Sequence, residues 1–288
     1  MKKNNFPRLA VLLSVLLGGC SDFALLNPAG AIAQEQKNII LMAVGLMLLV
    51  VVPVILLTLV FAWRYRASNK KATYAPDWAH STKIEIVVWL IPAIIIVILG
   101  TLVIKSSHKL DPFRPLDSTV KPFVIEAVSL DWKWLFIYPQ QQVASVNQLV
   151  FPANVPVEFR ITSVNVMNSF FIPQLGSQIY AMPGMRTQLH LIANQAGSYD
   201  GISSNYSGRG FSDMKFKAIA ASQDDFNSWL GKVKHSTVKL DLARYKKLEI
   251  PSDKSPIEYF STIKPGLFDC ILHQYMPVDV KTQACEEN

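Results

Sequence analysis

The chain has 288 residues, carries a formal net charge of +7 and is 50% hydrophobic, with a mean hydropathy of +0.25. That composition is too apolar for an ordinary soluble domain, and the excess lies in the first 104 residues. The basic residues cluster beside apolar spans, which indicates membrane topology rather than nucleic-acid binding. The three cysteines, Cys20, Cys270 and Cys285, are too few for a disulfide framework.

The first 19 residues are typical of a secretion signal. Lys2, Lys3 and Arg8 give a positive start, a short apolar run follows, and small residues then lead to Cys20. An apolar run of this length does not cross a bilayer. The small residues before Cys20 resemble a bacterial lipobox, which implies removal of residues 1–19 and attachment of lipid, palmitate included, to Cys20. The alternative is an uncleaved anchor in which the cysteine is incidental.

Two apolar stretches predict a pair of transmembrane helices. Residues 39–63 contain no charge and residues 84–104 contain an acid near their start, and each stretch is long enough to cross about 30 Å of hydrocarbon. The loop of residues 64–83 carries five basic residues and one acid. By the positive-inside rule this loop is cytoplasmic, so residues 20–38 and everything after residue 104 face outward, into the periplasm of a bacterium.

The acid in the second span, Glu85, has two interpretations. An ionisable side chain inside a membrane span is a functional candidate. Glu85 also lies close to Lys83 and to the water at the end of the span, where a carboxylate costs little. Position alone favours this second, structural interpretation.

The segment of residues 105–221 is predicted to form an all-β domain. Short runs rich in β-branched and aromatic residues predict strands at residues 124–128, 132–138, 155–162, 186–193 and 213–219. Such strands, separated by turns with Pro, Gly and Asn, are typical of a Greek-key sandwich or barrel.

The remaining residues, 222–288, are predicted to form a small helical and irregular extension. Ser222 followed by two acids predicts a helix start, and residues 238–248 predict a second short helix. The tail from residue 251 is rich in aromatic residues and proline and is predicted to be irregular. Cys270 and Cys285 are free to form a disulfide or to remain thiols, and the sequence leaves both open.

This topology, with the outer β-domain and one loop, resembles subunit II of the haem–copper oxidases. In the cytochrome c oxidase branch, a cupredoxin domain holds a binuclear copper centre through an upstream His and a loop of the type Gly-x-Cys-x-Glu-x-Cys-x-x-x-His-x-x-Met. Residues 201–214 match the frame of that loop without a gap. The six ligand positions fall on Asn168, Ser203, Asn205, Ser207, Phe211 and Met214. Only Met214 keeps a ligand side chain, and a lone thioether does not hold copper.

The missing ligands resemble the quinol-oxidising, cytochrome bo-type branch of the family, in which electrons come from membrane quinol. The resemblance implies a two-helix transmembrane hairpin and a cupredoxin-like domain without copper, in an inner-membrane, proton-pumping ubiquinol oxidase. It implies no metal or cofactor in this chain, with the haems and copper in subunit I. The implied partners are oxidase subunits I, III and IV, ubiquinol and lipid, with neither cytochrome c nor nucleic acid.

The resemblance also changes the interpretation of Glu85. Residues 83–89 resemble the start of the family's second span, where a glutamate lies at the cytoplasmic mouth of a proton channel, and this implies the same role for Glu85. Trp132 and Trp134 resemble an aromatic strand that admits electrons to copper, and without copper they are interpreted as packing residues. Two alternatives stay open: a cytochrome c oxidase subunit with displaced ligands, and a membrane-anchored cupredoxin-like binding or assembly lipoprotein.

Overall fold

The computed structural model describes residues 23–73, 75 and 77–274. The predicted signal peptide, Cys20 and Cys285 therefore lie outside the described residues. Backbone contacts divide the chain into a helical unit of residues 36–111 and a β-unit formed by the residues up to 35 together with those from 112 onward.

The chain forms five α-helices and eleven strands within the described residues. The helices are α1 (Ala31–Arg64), α2 (Thr82–Lys109), α3 (Gln223–Lys234), α4 (Leu242–Glu249) and α5 (Leu267–Gln274). The strands are β1 (Phe123–Leu130), β2 (Lys133–Tyr138), β3 (Val143–Val146), β4 (Gln148–Pro152), β5 (Val157–Ser163), β6 (Asn168–Phe171), β7 (Ile179–Ala181), β8 (Thr187–Leu191), β9 (Gly197–Ser203), β10 (Lys215–Ala221) and β11 (Glu258–Phe260).

Helices α1 and α2 contain the two predicted spans and extend beyond them. With 34 and 28 residues, both are long and apolar enough to cross a membrane. Helix α1 begins at Ala31 rather than residue 39, and α2 continues to Lys109 rather than residue 104. The added turns contain polar side chains, which a helix accommodates outside the hydrocarbon. The apolar stretch therefore predicts the part of the helix suited to lipid but does not predict where the helix begins and ends.

The β-unit is a sandwich of two sheets, as the sequence predicts. One sheet has the strand order β11-β3-β2-β1-β5-β8 and the other β4-β10-β9-β6-β7. Strands β1 and β5 pair in parallel, as do β4 and β10. Parallel neighbours cannot be joined by a tight hairpin, so each pair is linked by a longer crossover connection that passes through other strands. All five predicted strands are present with bounds shifted by a few residues, and the sequence missed β3, β4, β6, β7, β9 and β11.

Three aromatic rings join the two sheets near one end of the sandwich. Phe170 and Phe216 stack at 5.2 Å with an interplanar angle of 13°, and Trp134 from the other sheet meets both edge-on at 5.3 and 5.9 Å. All three are buried, and side chains of this size each stabilise the fold by roughly 2–3 kcal/mol. Residue 201 must be glycine, because a Cβ there would lie 2.1 Å from the Phe216 ring.

The residues before α1 dock on the β-unit. The amides of Ala29 and Gly30 donate to the carbonyl of Gln174, at 2.8 and 3.2 Å. A Cβ on Gly30 would lie 2.5 Å from the Ile192 carbonyl oxygen and 2.7 Å from that of Leu175. The close backbone approach therefore depends on glycine at position 30.

The C-terminal extension is more regular than predicted. Helix α3 begins where the sequence predicts, with the Asp225 amide donating to Ser222 Oγ at 3.1 Å. Strand β11 pairs with β3, and α5 buries Leu267 and Phe268. Cys270, in α5, is disulfide-bonded, and the other cysteines of the chain lie outside the described residues.

Helix α5 places an acid beside a half-buried carboxyl of the sandwich. Glu126 of β1 lines a cavity of about 260 Å³ together with Phe268 and Asp269. Burial, and then the charge of Asp269, raise the pKa of Glu126 from 4.5 to about 7. Arg160 and Arg186 act in the opposite direction, and Arg186 forms an ion pair with Asp269. The contact between α5 and β1 is therefore sensitive to pH.

We expect Glu126 to make the stability of the folded chain fall as pH rises from about 4.5 to 7. Its folded pKa lies above its unfolded value, so the folded state binds more protons in this range, and above pH 7 the contribution is constant. Glu126→Gln should remove this fall, whereas Asp117→Asn, at an exposed position in the linker, should keep it. Thermal unfolding midpoints of the full chain between pH 4.5 and 8 test this, and equal slopes in the two variants would contradict it.

Candidate functional site: a loop at one end of the sandwich

The loop of residues 203–214 connects β9 to β10. The Ser203 amide donates to the Met214 carbonyl at 3.2 Å, which closes the base of the loop. The Ser204 amide donates to the Ser169 carbonyl at 3.1 Å and ties the same end to β6. Met214 is 1% exposed and belongs to the core, as its apolar side chain predicts.

Two of the predicted ligand positions meet in the interior. Ser203 Oγ donates to Asn168 Oδ1 at 3.0 Å, and both residues are buried. The amide nitrogen of Asn168 donates to the Val166 carbonyl at 3.2 Å. These two side chains therefore satisfy each other and the adjacent backbone, which a buried polar group requires.

The other positions point to separate surroundings. Asn205 Nδ2 donates to the Met167 carbonyl at 2.9 Å. Phe211 is half-buried, and its recorded ring contact is with Tyr206 at 5.6 Å. Ser207 Oγ is buried without a hydrogen-bond partner among the described residues.

The donor set at these positions does not fit a pair of copper ions. Copper centres of this type need thiolate and imidazole ligands, and amides, hydroxyls and a phenyl ring replace them here. Met214 contributes a single thioether. Within residues 23–73, 75 and 77–274, no cluster of three His, Cys, Asp or Glu side chains is placed to hold a metal ion.

Trp132 contacts the tip of the loop from the turn between β1 and β2. Its indole nitrogen donates to the Ser207 carbonyl at 3.0 Å, and the Arg209 guanidinium lies 5.6 Å from the ring centre. Trp132 has a φ of 62°, in the left-handed region, which turns the chain sharply before β2. Trp134 lies in the core, whereas Trp132 is half-buried and packs against the loop.

Lys133 is a buried cation that sequence analysis missed. It is 3% exposed, and Nζ donates to the Ile250 carbonyl at 2.9 Å and to Ser252 Oγ. Burial lowers the pKa of Lys133, while Asp131 and Glu258 act in the opposite direction. Alternation along the strand gave no sign of this burial, because the acceptors come from a segment 117 and 119 residues further along the chain.

Glu85 lies in the first turn of α2 and is half-exposed in the helical unit. Its Oε1 lies 2.6 Å from His80 Nδ1 and accepts a long hydrogen bond from the Ser81 amide at 3.4 Å. The sequence pointed to Lys83 as the neighbouring charge, and the structure records His80 instead. The side chain is therefore held at the end of the helix, near the loop of residues 64–83.

Family models match three parts of the chain. Residues 22–105 match the model of the cytochrome c oxidase subunit II transmembrane domain, and residues 125–222 match that of its periplasmic domain. Residues 234–278 match the model described as the COX aromatic rich motif.

Proteins of known identity are similar over nearly the whole length. Cytochrome bo(3) ubiquinol oxidase subunit 2 of Pseudomonas putida is 60% identical over 279 residues, which cover 96% of this chain and 88% of the relative. The Pseudomonas aeruginosa protein of the same name is 58% identical, covering 93% and 80%. Ubiquinol oxidase subunit 2 of Acetobacter aceti is 52% identical, covering 96% and 91%. With its two apolar helices, its sandwich and these relatives, the chain belongs to the cytochrome bo(3)-type ubiquinol oxidase subunit 2 family, within subunit II of the haem–copper oxidases.

Proposed function

We propose that this chain is the subunit of a proton-pumping ubiquinol oxidase that takes no part in the redox chemistry itself. It anchors to subunit I through α1 and α2 and covers the outer face of the complex with a metal-free cupredoxin-like domain. Subunits III and IV complete the assembly in the bacterial inner membrane. The haems and copper belong to subunit I, and electrons enter as ubiquinol from the membrane.

The hydrogen bond between Ser203 and Asn168 is the observation that carries this proposal. It fills two ligand positions with a neutral donor–acceptor pair that is complete without a metal. Since Asn205 also donates to backbone, three of the six positions are engaged in hydrogen bonds of the loop's own surroundings. A domain of this kind supports the complex by packing and gives a soluble electron donor no metal centre to reduce.

We expect the complex purified with this chain in mild detergent to contain haem and to oxidise ubiquinol, without a near-infrared mixed-valence copper band. Absorption spectra and oxygen uptake with quinol or with reduced cytochrome c measure this. The positive control is a complex that carries Asn168→His, Ser203→Cys, Ser207→Cys and Phe211→His together. It should show the near-infrared band, since these donors are of the type that copper requires. A near-infrared band in the unmodified complex would refute the metal-free domain, and a chain that purifies without haem would favour a separate binding or assembly lipoprotein.

We further propose that Glu85 lies at the cytoplasmic entrance of a proton channel in subunit I. Supporting observations are its place in the first turn of α2 and its half-exposed carboxylate beside His80. A carboxylate near the inner interface collects a proton from water and passes it to polar groups of the neighbouring subunit. The basic loop of residues 64–83 supports the cytoplasmic placement of this end of the helix.

Glu85→Ala should slow proton uptake coupled to oxygen reduction by about tenfold, less than the ~10²–10⁴-fold typical of a group that transfers a proton in the reaction step itself, and leave assembly intact. Asp77→Ala, which removes the one acid of the loop of residues 64–83, is the matched control and should leave turnover unchanged. Turnover and proton uptake of the two purified complexes are compared at equal haem content. If the Glu85 variant turns over like the Asp77 variant, the carboxylate has no role in proton entry.

We also propose that the mature chain begins at Cys20 with lipid attached. The support is the signal-like sequence of residues 1–19, and the first described residues, from 23 onward, lead directly into the segment docked on the β-unit. Intact-mass spectrometry of the purified subunit should give the mass of residues 20–288 plus acyl groups, and Cys20→Ser should remove the added mass. A mass equal to the unprocessed 288-residue chain would refute this.

A further inference from the structure

The tip of the loop, residues 207–210, is joined to the turn that follows it, with the amides of Phe211 and Asp213 donating to the carbonyls of Gly208 and Gly210 at 3.2 and 3.1 Å. These local bonds do not fix the tip to the sheets. The polar contacts at the base involve residues 203–205 and 214, which are fixed to β6 and to each other. Ordering a residue costs about 1–2 kcal/mol of conformational entropy, and bound metals commonly offset that cost in loops that ligate them. Without a metal, the tip must be stabilised by contacts with the rest of the chain.

Trp132 provides the first of these contacts. Its ring lies against Gly208 and Gly210 and donates to the Ser207 carbonyl at 3.0 Å. Gly208 has a φ of 106°, which favours glycine, and a Cβ on Gly210 would lie 2.4 Å from the indole. The tip is therefore shaped to the face of this one ring.

The second contact comes from the C-terminal extension. Asp253 Oδ2 lies 3.0 Å from the Arg209 guanidinium, and a Cβ on Gly210 would lie 2.6 Å from Asp253 Oδ1. Asp253 and the Trp132 ring thus flank the same glycine. The guanidinium is shared between the carboxylate and the ring, an arrangement in which the ion pair also orients the cation over the aromatic face.

The segment that carries Asp253 is itself anchored to the sandwich beside Trp132. Lys133 Nζ donates to the Ile250 carbonyl and to Ser252 Oγ, and Asn147 Nδ2 donates to the Ser255 carbonyl at 2.8 Å. A buried ammonium needs hydrogen-bond acceptors, and this segment supplies them. Residues 132 and 133 are adjacent, so one turn of the chain holds both the loop tip and the segment that closes over it.

We propose that residues 250–258, which we call the strap, take the place of a metal in holding the loop closed. Lys133 and Asn147 position the strap, and Asp253 fixes the loop tip against Trp132 through Arg209. This rests on the proposed function in one respect, the absence of a metal from the loop. It assigns to this part of the C-terminal extension the role of keeping the loop stable where the copper-type ligands are absent.

Hydrogen exchange measured by mass spectrometry on the intact oxidase complex tests the strap. Asp253→Asn should speed exchange of the amides of residues 205–213 by about two- to fivefold, the range expected for an ion pair worth up to 1 kcal/mol. Asp200→Asn is the matched control. Asp200 forms an exposed ion pair with Lys217 between β9 and β10, the two strands that the loop connects, and the strap takes no part in this pair. This variant should leave exchange in residues 205–213 unchanged.

Two further variants test the contacts between the strap and the loop tip in other ways. Gly210→Ala should force the tip away from Trp132 and Asp253 and speed trypsin cleavage after Arg209 by at least the same factor. Lys133→Met keeps the apolar stem but releases the strap, so exchange should rise in residues 250–258 and 205–213 together. If Asp253→Asn and Gly210→Ala leave the loop as protected as the control does, the strap proposal is wrong.

The quinol oxidase activity of the same preparations distinguishes this proposal from the proposed function. The Asp253→Asn variant should oxidise ubiquinol at the wild-type rate, because the strap orders a loop in a domain that, under the proposed function, carries no electrons. A wild-type complex without quinol oxidase activity would refute the proposed function, whereas unchanged loop exchange in an active complex would refute the strap alone.

Discussion

The stack of Trp134, Phe170 and Phe216 is the interaction on which the loop region depends. Each ring lies two residues along the chain from a residue of the loop or one that contacts it: Trp134 from Trp132, Phe170 from Asn168 and Phe216 from Met214. Asn168 and Phe170 lie two apart within β6 and share a face, so burying the Phe170 ring fixes where Asn168 lies. Met214 and Trp132 adjoin the starts of β10 and β2, the strands that hold the other two rings. The core therefore places the base of the loop without help from a metal.

With its base fixed, the loop has two remaining physical requirements, and different parts of the chain meet them. Buried polar groups must be paired, and the Asn168–Ser203 hydrogen bond does this inside the sandwich. The tip must be ordered, and Arg209 links it to Asp253 outside. Ser207 Oγ is buried and unpaired among the described residues, so the pairing of polar groups is incomplete at this position.

Much of the fold follows from local sequence, and the exceptions have identifiable causes. Long apolar stretches predicted helices α1 and α2, and the Ser222 cap predicted the start of α3, because these signals depend on residues close together in the chain. Strand β3 was missed because all four of its residues are buried, so it lacks the alternation that marks a half-exposed strand. Strand β11 is three residues long and is formed by pairing with β3, more than 100 residues earlier in the chain. No local sequence pattern predicts such a pairing.

The same distinction holds for the candidate site. The frame of residues 201–214 located the loop and its missing donors, because ligand spacing is a local property. The long-range contacts of Lys133 and Asp253 could not be predicted, since each depends on residues brought together only by the folded chain. The contact of Glu85 with His80 spans five residues, yet the non-helical turn before α2, and not helical spacing, brings them together.

The proposed division of roles is consistent with this geometry. A carboxylate at the end of α2 requires water and a neighbouring polar path, and these occur at a membrane interface rather than in a packed sandwich. A loop with neutral, mutually bonded side chains requires only close packing, which the aromatic core and the strap supply. Under this proposal, proton entry and the outer domain need no electron path between them, so the fold is compatible with a loop that contains neither thiolate nor imidazole.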